Sequence, residues 1–421
     1  MSSYNKGVLR AAVSTLFFAP TLALATNGYF FHGYGAKSQS LAGVGIALPQ
    51  DGLAAASNPA GVAFVEDRID LGLSWFRPDR GAEIEGNLAG ANGSYDGNAR
   101  KDFVIPEFGL VKHLTPALTV SVAIYGNGGM NTEYEQNPYA AFGSSGRAGV
   151  DLSQLFVSPT LSYQINENHA VGISANFAYQ RFEAYGLSAF DNPYFSAHPG
   201  NVTDRGYDSS TGWGVRLGWT GRITPELTLG ATWASKIAAG NIDKYAGLFA
   251  DAGSFDIPAN YGLGLAWKPV EALTLAFDWQ RIEYSGVKSV ANPLSKLLQG
   301  NPLGSSDGPG FGWKDISVYK LGAAYVLNPE LTLRAGYSHA DQPIPGDQTL
   351  LNTLAPGVVQ DHLSLGASWK PSAAGELSVA YTHGLKKTVN GSNSIPAAFG
   401  GGEADIHLQE DILDIAYGWR F

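Results

Sequence analysis

The chain contains 421 residues, has no cysteine and carries a formal net charge of −10. This acidic balance argues against nucleic-acid binding, which requires a basic surface, and the lack of cysteine excludes a disulfide-stabilised scaffold. A mean hydropathy of −0.06 together with 53 glycines, 20 tyrosines and 9 tryptophans is unusual for a soluble enzyme. It is typical of a transmembrane β-barrel, whose strands are apolar on one face only. A secreted β-sandwich or propeller is the alternative on composition alone.

Residues 1–25 have the pattern of a cleavable signal peptide. Lys6 and Arg10 precede an apolar run, and Ala23-Leu24-Ala25 matches the small-x-small cleavage pattern. We therefore expect cleavage before Thr26 and export to the periplasm. The run is too short to cross a membrane, and no later stretch reaches the ~20 apolar residues that a transmembrane helix needs.

Residues 26–67 precede the first predicted strand and are rich in glycine and alanine. They do not continue the strand pattern that follows, and a barrel wide enough to leak needs something to fill its lumen. We therefore predict an N-terminal hatch, or plug, inside the barrel. A disordered periplasmic tail is the alternative.

A repeated short turn divides the remaining chain, residues 68–421, into hairpins. Proline fixes turn geometry and cannot donate to a central ladder, so each copy marks a strand connection. Five copies contain a proline and a sixth, at 166–169, does not; the prolines are Pro116, Pro225, Pro269, Pro329 and Pro371. Six short turns that alternate with seven long loops require fourteen strands.

All fourteen strands can be placed, and the fold class is therefore all-β: a 14-stranded antiparallel transmembrane β-barrel with the hatch in its lumen. An even strand number with short periplasmic turns and long outer loops is the plan of bacterial outer-membrane barrels. The predicted strands lie near 68–79, 101–113, 117–126, 151–165, 169–182, 211–223, 226–235, 254–268, 272–284, 314–327, 330–339, 361–370, 375–386 and 406–421. The predicted outer loops are 80–100, 127–150, 184–210, 236–253, 285–313, 340–360 and 387–405.

Side-chain alternation supports the barrel. Tryptophans near strand ends suit the aromatic girdles that flank the apolar band of such a barrel. Eight of the nine tryptophans share the apolar parity of their strands: Trp75, Trp213, Trp219, Trp233, Trp267, Trp279, Trp369 and Trp419. The alternating apolar end of the chain, closing on Phe421, is interpreted as the barrel-assembly signal.

The third and fourth outer loops contain more large apolar side chains than exposed loops require. Leu187, Phe190 and Phe195 lie in 184–210, and Leu248 and Phe249 lie in 236–253. A contiguous apolar patch on a surface usually marks a binding site. The two loops could also simply pack against each other.

Three inward-facing basic residues, Arg216, Arg334 and Lys320, are candidates for holding a carboxylate in the lumen. A charge network that keeps the lumen hydrated is the alternative, and for any single one of these residues it is the simpler explanation. Phe30 and Phe31 could line a pocket near the tip of the hatch, or could be core contacts of the plug.

Several motifs resemble the FadL/TodX family of outer-membrane channels for fatty acids and hydrocarbons. They are Gly43-Val44-Gly45-Ile46-Ala47, Asn58-Pro59-Ala60, Gly312-Trp313-Lys314-Asp315, Asp341-Gln342-Pro343-Ile344-Pro345 and Tyr381-Thr382-His383-Gly384. The resemblance implies that Asn58, Pro59 and Ala60 form the hatch motif. It also implies that the third and fourth outer loops form the first capture groove for the solute.

The third predicted strand runs into Gly126-Asn127-Gly128-Gly129. Glycine within a strand indicates a bulge, a kink or a close backbone approach, and from pattern alone an ordinary loop start is equally plausible. In the FadL/TodX family this strand bends inward and opens the barrel wall. The resemblance therefore implies a lateral gate at Gly126, Gly128 and Gly129.

Together these features predict an outer-membrane channel for passive uptake of hydrophobic compounds, captured by outer loops and released sideways through the wall. The alternatives are a general porin, or a surface adhesin or phage receptor. No catalytic residues, metal ligands or cofactors are expected, because the eight histidines form no metal-binding spacing. The expected partners are the solute, outer-membrane lipid and lipopolysaccharide, for a chain that we expect to be monomeric.

Overall fold

The computed structural model describes residues 27–421, and the predicted signal peptide and its cleavage site lie outside this range. The described part is dominated by antiparallel strands. They are β1 Arg68–Glu85, β2 Gly93–Asp96, β3 Phe103–His113, β4 Leu118–Tyr134, β5 Ala148–Gln164, β6 His169–Tyr185, β7 Asp208–Arg222, β8 Leu227–Ala234, β9 Asn260–Val270, β10 Leu273–Ile282, β11 Ile316–Asn328, β12 Leu331–Ala340, β13 Asp361–Trp369, β14 Gly375–Val389 and β15 Glu403–Arg420.

These strands form a closed barrel. Each wall strand pairs with the next in chain order, and β15 returns to pair with β1 from Arg68↔Arg420 to Glu85↔Glu403. The short strand β2 pairs only with the outer part of β1, so fourteen strands build the wall. The predicted fold class is therefore confirmed.

The strand ends differ from the predicted ones on the outer side. β1 continues to Glu85, β4 to Tyr134, and β15 begins at Glu403, within segments that were predicted as loops. At the outer ends of β1 and β15, above the membrane, the outward face of the strand meets water and no longer needs apolar residues, so the alternation is lost although backbone pairing continues. On β4 the reason differs: residues 125–132 are buried on both faces, so exposed and buried side chains no longer alternate although pairing with β5 continues.

Alternate residues of the wall face lipid or lumen. Apolar side chains such as Trp213, Leu365 and Leu263 are exposed on the outside, whereas small polar residues such as Ser121 and Thr160 are buried on the inside. This arrangement is the one expected for strands between an apolar membrane and a filled lumen.

Helices are short and lie in the hatch and the outer loops. The α-helices are Ala36–Gln39, Ala54–Ser57, Ala250–Gly253, Lys288–Ala291, Ser295–Leu298 and Thr349–Asn352; the 3₁₀ helices are Pro59–Phe64, Ala140–Phe142, Ser188–Phe190, Asp243–Tyr245, Tyr284–Gly286, Gly346–Gln348 and Ala397–Phe399. Within residues 27–421 none of the helices is long and apolar enough to cross a membrane.

The N-terminal segment up to residue 67 fills the lumen as a hatch. It bonds to wall strands on different sides of the barrel: the Gly35 amide donates to Glu107 of β3, and the Gly45 amide donates to Asp278 of β10 at 2.7 Å. At the periplasmic end the Lys37 ammonium lies 2.7 Å from Glu376 of β14. Because these three strands surround the segment, the hatch is held from several sides.

The carboxylate of Glu376 joins the hatch to the end of the barrel. Besides Lys37, it accepts hydrogen bonds from Arg68 at 3.2 Å and from Arg420 at 2.9 Å, so three cations converge on it. Burial, reinforced by the neighbouring Arg68, lowers the pKa of Lys37 from its usual value. Removing one partner of such a buried pair would leave an uncompensated charge, which makes this contact costly to break.

The hatch motif Asn58-Pro59-Ala60 lies directly on the wall. The Asn58 amide donates to the carbonyl oxygens of Ile46 in the hatch and Trp219 in β7, at 2.8 and 3.0 Å. A side chain at Gly218 would meet the Asn58 Oδ1 at 2.0 Å, so the wall must be glycine there for the motif to approach. One side chain thus ties two hatch turns to the barrel.

We expect the folded barrel to resist a denaturing detergent until it is heated, because the pairing of β15 with β1 closes the sheet and leaves no terminal strand for the detergent to separate. Boiled and unboiled samples should therefore differ in mobility on a denaturing gel. Identical mobility would contradict a closed barrel.

We expect Asn58→Ala to loosen the hatch without unfolding the barrel, since it removes the donors that join the Ile46 and Trp219 carbonyls. The measurement is entry of small hydrophilic antibiotics into intact cells, which should rise. The matched control is Asn301→Ala, because Asn301 also precedes a proline but lies in the fifth outer loop. Equal permeability of both variants, at equal surface abundance and gel shift, would rule out this anchoring role.

Candidate functional site

The outer loops surround an apolar pocket whose non-atom space measures about 510 Å³, including the solvent at its mouth. Four of the five loop residues predicted from the sequence line it: Leu187, Phe190, Leu248 and Phe249. Phe195 does not line the cavity but packs against the Phe190 ring, with centroids 5.9 Å apart. The third and fourth outer loops therefore pack against each other, as the alternative predicted, and they also line a common cavity. We refer to this space as the outer cavity.

Two further loops, which were not predicted to contribute, complete the outer cavity. The fifth loop contributes Leu303 and Phe311, and the sixth contributes Leu351 and Leu354. The rule that singled out the third and fourth loops, large apolar groups in an outer loop, applies equally to these residues. Phe182, at the outer end of β6, could not have been separated by pattern from an ordinary strand residue.

The chemistry of the outer cavity is uniformly apolar. Ser289 is the polar side chain of its lining, and the Ser289 hydroxyl donates to the Ser254 carbonyl at 2.5 Å. Among residues 27–421, none of the side chains that contribute to this lining is charged. A charged group that entered would lose water without gaining a partner, at a cost of several kcal/mol.

Aromatic rings lead from the outer cavity to the beginning of the hatch. The Phe249 ring contacts Phe255 at 4.9 Å between centroids, and Phe255 contacts Tyr29 at 5.9 Å. Tyr29 in turn packs against Tyr284 and Trp313. Burial raises the pKa of Tyr29, so its ring stays neutral in this apolar surrounding. The hatch segment 29–31 is thus in indirect contact with the outer cavity.

The barrel ladder is interrupted between β3 and β4. The two strands pair from His113↔Thr119 up to Phe108↔Ile124 and no further, although both continue towards the outer side. β3 still pairs with β1 there, and β4 still pairs with β5. We define the unpaired stretch, 103–107 of β3 and 125–130 of β4, as the β3–β4 gap.

The hatch takes the free edge of β4 at this gap. The Phe31 amide donates to the Asn127 carbonyl and the Gly129 amide donates to the Tyr29 carbonyl, both at 2.9 Å. β4 contains a bulge between Gly126 and Gly128. Because the hatch lies inside the barrel, an edge that pairs with it must be turned towards the lumen.

The three glycines proposed as a gate lie at this junction. A side chain at Gly128 would meet the Tyr29 carbonyl oxygen at 2.1 Å, so this glycine permits close approach of the hatch. The predicted strand 117–126 was too short: β4 continues to Tyr134, and the glycines lie within it and not at the start of a loop. The signal that sequence reasoning missed is Pro106, since a proline within a strand indicates an edge without a ladder partner.

Phe30 and Phe31 point to different surroundings. Phe30 packs against Tyr29 and Tyr284. Phe31 joins an apolar cluster at the β3–β4 gap with Phe76, Phe103, Ile105 and Ile412. Phe31 therefore covers the lumen side of the gap with apolar surface.

A second, partly polar cavity of about 370 Å³ lies between the hatch and the wall. Its lining includes Phe31, Arg216, Asp278 and Lys320. The Arg216 Nε and Asp278 Oδ1 atoms are buried and have no hydrogen-bond partner in the structure. We refer to this space as the inner cavity.

Most donors of the three basic candidates are engaged by the hatch or the wall. The Lys320 ammonium donates to the His32 carbonyl at 2.8 Å, and Arg334 donates to Gln50 at 3.0 Å and to Ser368 at 2.7 Å. Arg216 makes longer bonds, of 3.4 Å, to the Ser57 carbonyl and other acceptors. Lys320 and Arg216 meet in the inner cavity, whereas Arg334 does not contribute to its lining.

Comparison with solved structures gives the same architecture. The P. putida toluene transporter TodX is 20% identical, with 93% of this chain and 99% of that chain covered and a TM-score of 0.70. A Pseudomonas aeruginosa FadL homologue is 16% identical, with 94% and 100% covered and a TM-score of 0.71. The Ralstonia pickettii toluene transporter TbuX is 19% identical, with 93% and 99% covered and a TM-score of 0.64.

At these identities the likeness establishes the fold, and the family follows from the sequence. A search among curated protein sequences gives no match. The family model for outer membrane protein transport proteins (OMPP1/FadL/TodX) matches residues 22–410, which is most of the chain. The chain therefore belongs to the FadL/TodX family of outer-membrane transport channels.

Proposed function

We propose that this channel takes up uncharged hydrophobic molecules, which bind in the outer cavity, pass the first hatch segment and leave sideways through the β3–β4 gap. The observation that carries the proposal is the interrupted ladder: the wall lacks β3–β4 pairing where an apolar cluster and a displaceable hatch segment lie behind it. A solute that leaves there enters the apolar part of the bilayer and avoids the aqueous periplasm.

The lining of the outer cavity supports an uncharged solute. Each methylene group moved from water into such a space contributes about 0.8 kcal/mol, whereas an ionised head group would lose its hydration. TodX and TbuX, which share the fold, are described as toluene transporters. A hydrocarbon therefore fits the chemistry better than an ionised acid.

The hatch segment 29–31 is the part that has to move. It is held to β4 by two backbone hydrogen bonds, and its Tyr29 ring touches Phe255, which touches Phe249 of the outer cavity. A solute that displaces Phe249 or Phe255 would press on Tyr29. Breaking the two hydrogen bonds themselves costs about 1–3 kcal/mol, and the buried rings of Tyr29 and Phe31 would have to repack against the solute.

A fatty acid is the second candidate, because the inner cavity contains two cations. The unpartnered Nε of Arg216 faces no acceptor in the structure, and Lys320 lies in the same lining. A carboxylate there would gain a charge-assisted hydrogen bond. Replacing Arg216 with Met should then weaken uptake of dodecanoate selectively, whereas hydrocarbon uptake should not change.

The porin and adhesin alternatives predict different measurements. A porin would conduct ions in a planar bilayer, whereas a barrel filled by its hatch should pass little current. An adhesin would act through its loops alone, without solute uptake. Since both cavities and the gap are formed within one chain, we propose that a monomer in contact with outer-membrane lipid and lipopolysaccharide is sufficient.

We expect Phe249→Ala to weaken hydrocarbon binding, because it removes a ring that lines the outer cavity. Loss of one buried aromatic contact is worth about 1.5–3 kcal/mol, which corresponds to a fall in affinity of roughly 10- to 100-fold. The measurement is binding of radiolabelled toluene to the purified protein.

The matched control is Phe195→Ala, because Phe195 is a loop phenylalanine that packs on Phe190 without lining the cavity. Its affinity should stay within about threefold of the wild type, a difference of about 0.7 kcal/mol or less. Equal losses in both variants would mean that the outer cavity is not the binding site.

We expect a cross-link across the β3–β4 gap to stop uptake. Pro106 and Gly126 would face each other if the ladder continued in register, so Pro106→Cys with Gly126→Cys places two thiols across the gap. The chain has no other cysteine. A short cleavable thiol cross-linker should lower toluene passage into intact cells by about tenfold or more, equivalent to 1.4 kcal/mol. Cleavage should restore it.

The control pair is Phe108→Cys with Ile124→Cys, which are already partners at the closed end of the gap. Cross-linking this pair should leave uptake unchanged. Undiminished uptake in the cross-linked Pro106 and Gly126 pair, with an intact gel shift, would mean that the solute leaves by another route.

A further inference from the structure

Arg80 lies at the outer end of the β3–β4 gap and is almost completely buried, with 1% of its surface exposed. Its guanidinium has five N–H donors, and the structure provides five acceptors for them. Nε donates to the Asn131 carbonyl at 2.8 Å, Nη1 donates to the Pro78 carbonyl and the Asn98 Oδ1, and Nη2 donates to the Arg100 carbonyl and the Asn131 Oδ1.

These acceptors belong to three parts of the chain. Pro78 precedes Arg80 on β1, Asn98 and Arg100 lie in the segment between β2 and β3, and Asn131 lies on β4. The Arg80 side chain therefore crosses from β1 to β4 above the beginning of β3. No acceptor among the five is a carboxylate, so the contact does not depend on pairing with an acid.

The Asn131 carbonyl is an acceptor that β4 would otherwise offer to a neighbouring strand. Below it, the hatch pairs with Asn127 and Gly129; above it, Glu133 exchanges backbone hydrogen bonds with Gly97 and Ala99. Three successive positions on the edge of β4 that would pair with β3 are thus hydrogen-bonded to other groups. At the middle position, Asn131, the partner is the Arg80 side chain.

Unpaired strand edges within a membrane tend to pair, because each unsatisfied backbone group in lipid costs several kcal/mol. Residues 103–107 of β3 face β4 with such an edge. The position of β4 is therefore a competition between closing onto β3 and remaining bonded to the hatch, to Arg80 and to the 97–99 segment. When the hatch segment moves, the latter two alone keep the strands apart.

We propose that Arg80 is a positioning residue that holds β4 away from β3 and so fixes the outer end of the solute exit. This inference rests on the proposed lateral route for its transport consequence, but the position of β4 can be measured without it. A lysine at this position keeps the charge and loses the forked donors, so it cannot join the Asn131 and Arg100 carbonyls in the same way.

The test compares Arg80→Met, Arg80→Lys and Asn131→Ala with the matched control Arg77→Met. Arg77 lies on the same strand, three residues away, but faces outward and has a side chain that is 43% exposed. All variants are checked for the heat-dependent gel shift and for toluene binding, neither of which involves Arg80. Two quantities are then measured: amide hydrogen exchange of the 103–107 segment, and toluene passage into intact cells.

Arg80→Met should slow hydrogen exchange in 103–107, because β4 closes onto β3, and should lower toluene passage by about tenfold, equivalent to 1.4 kcal/mol. Arg80→Lys should behave in the same way, and the control Arg77→Met should match the wild type. Asn131→Ala should give a smaller effect, and combining it with Arg80→Met should add little to the effect of Arg80→Met alone. Unchanged or faster exchange in Arg80→Met would overturn the proposal. Faster exchange is the result expected if Arg80 only stabilises this end of the barrel, because its loss would then leave the amides of 103–107 less protected. Slower exchange with normal passage would retain the role of Arg80 and reject the lateral route.

Discussion

The wall of this molecule and its contacts with the hatch depend on the requirement that backbone N–H and C=O groups within lipid be hydrogen-bonded by protein. A closed sheet satisfies this requirement all round the wall, from the β1–β15 seam to the last hairpin. The β3–β4 gap is the place where strand pairing does not meet this requirement, and other hydrogen bonds replace the missing ones. Backbone groups of β4 that lose β3 are met by the hatch at Asn127 and Gly129 and by Arg80 at Asn131.

The hatch segment that pairs with β4 at the β3–β4 gap also contacts the residues that lead to the outer cavity. A plug that only filled space could be attached anywhere on the inner wall. Here the segment 29–31 closes the free edge of β4, covers the gap with Phe31 and reaches the outer cavity through Tyr29 and Phe255. On the proposed route, capture and release would therefore involve one short stretch of backbone. The contacts of Asn58 and Glu376 with the wall would hold the rest of the hatch during that movement.

The sequence was sufficient to predict what depends on periodicity. The turn prolines and the alternation of residues such as Trp213 and Leu217 mark strands because one face of each must meet lipid. The wall was therefore predicted strand by strand, and the apolar residues of two outer loops led to the outer cavity. Where the outward face leaves the membrane, as beyond Asp79 on β1, the pattern ends although the strand does not.

The residue roles that could not be predicted from the sequence depend on contacts between distant parts of the chain. Arg80 is one arginine among many until the fold brings Asn131 and Arg100 to its guanidinium. Gly128 suggested a kink, and only the position of Tyr29 shows that the space is needed for a second backbone. The assignment of Arg216, Lys320 and Arg334 to a solute carboxylate could not be weighed before their bonds to the hatch were known.

Gly128 determines how closely the hatch can lie against the wall. Main chain meets main chain there, because a side chain would meet the Tyr29 carbonyl oxygen at 2.1 Å. An alanine at this position would therefore push the hatch segment away from β4, and the backbone hydrogen bonds that join Phe31 to Asn127 and Gly129 to Tyr29 would lengthen or break. The substitution would act as a permanent wedge, and the protein that carries it would rest with segment 29–31 displaced from β4 even without a solute.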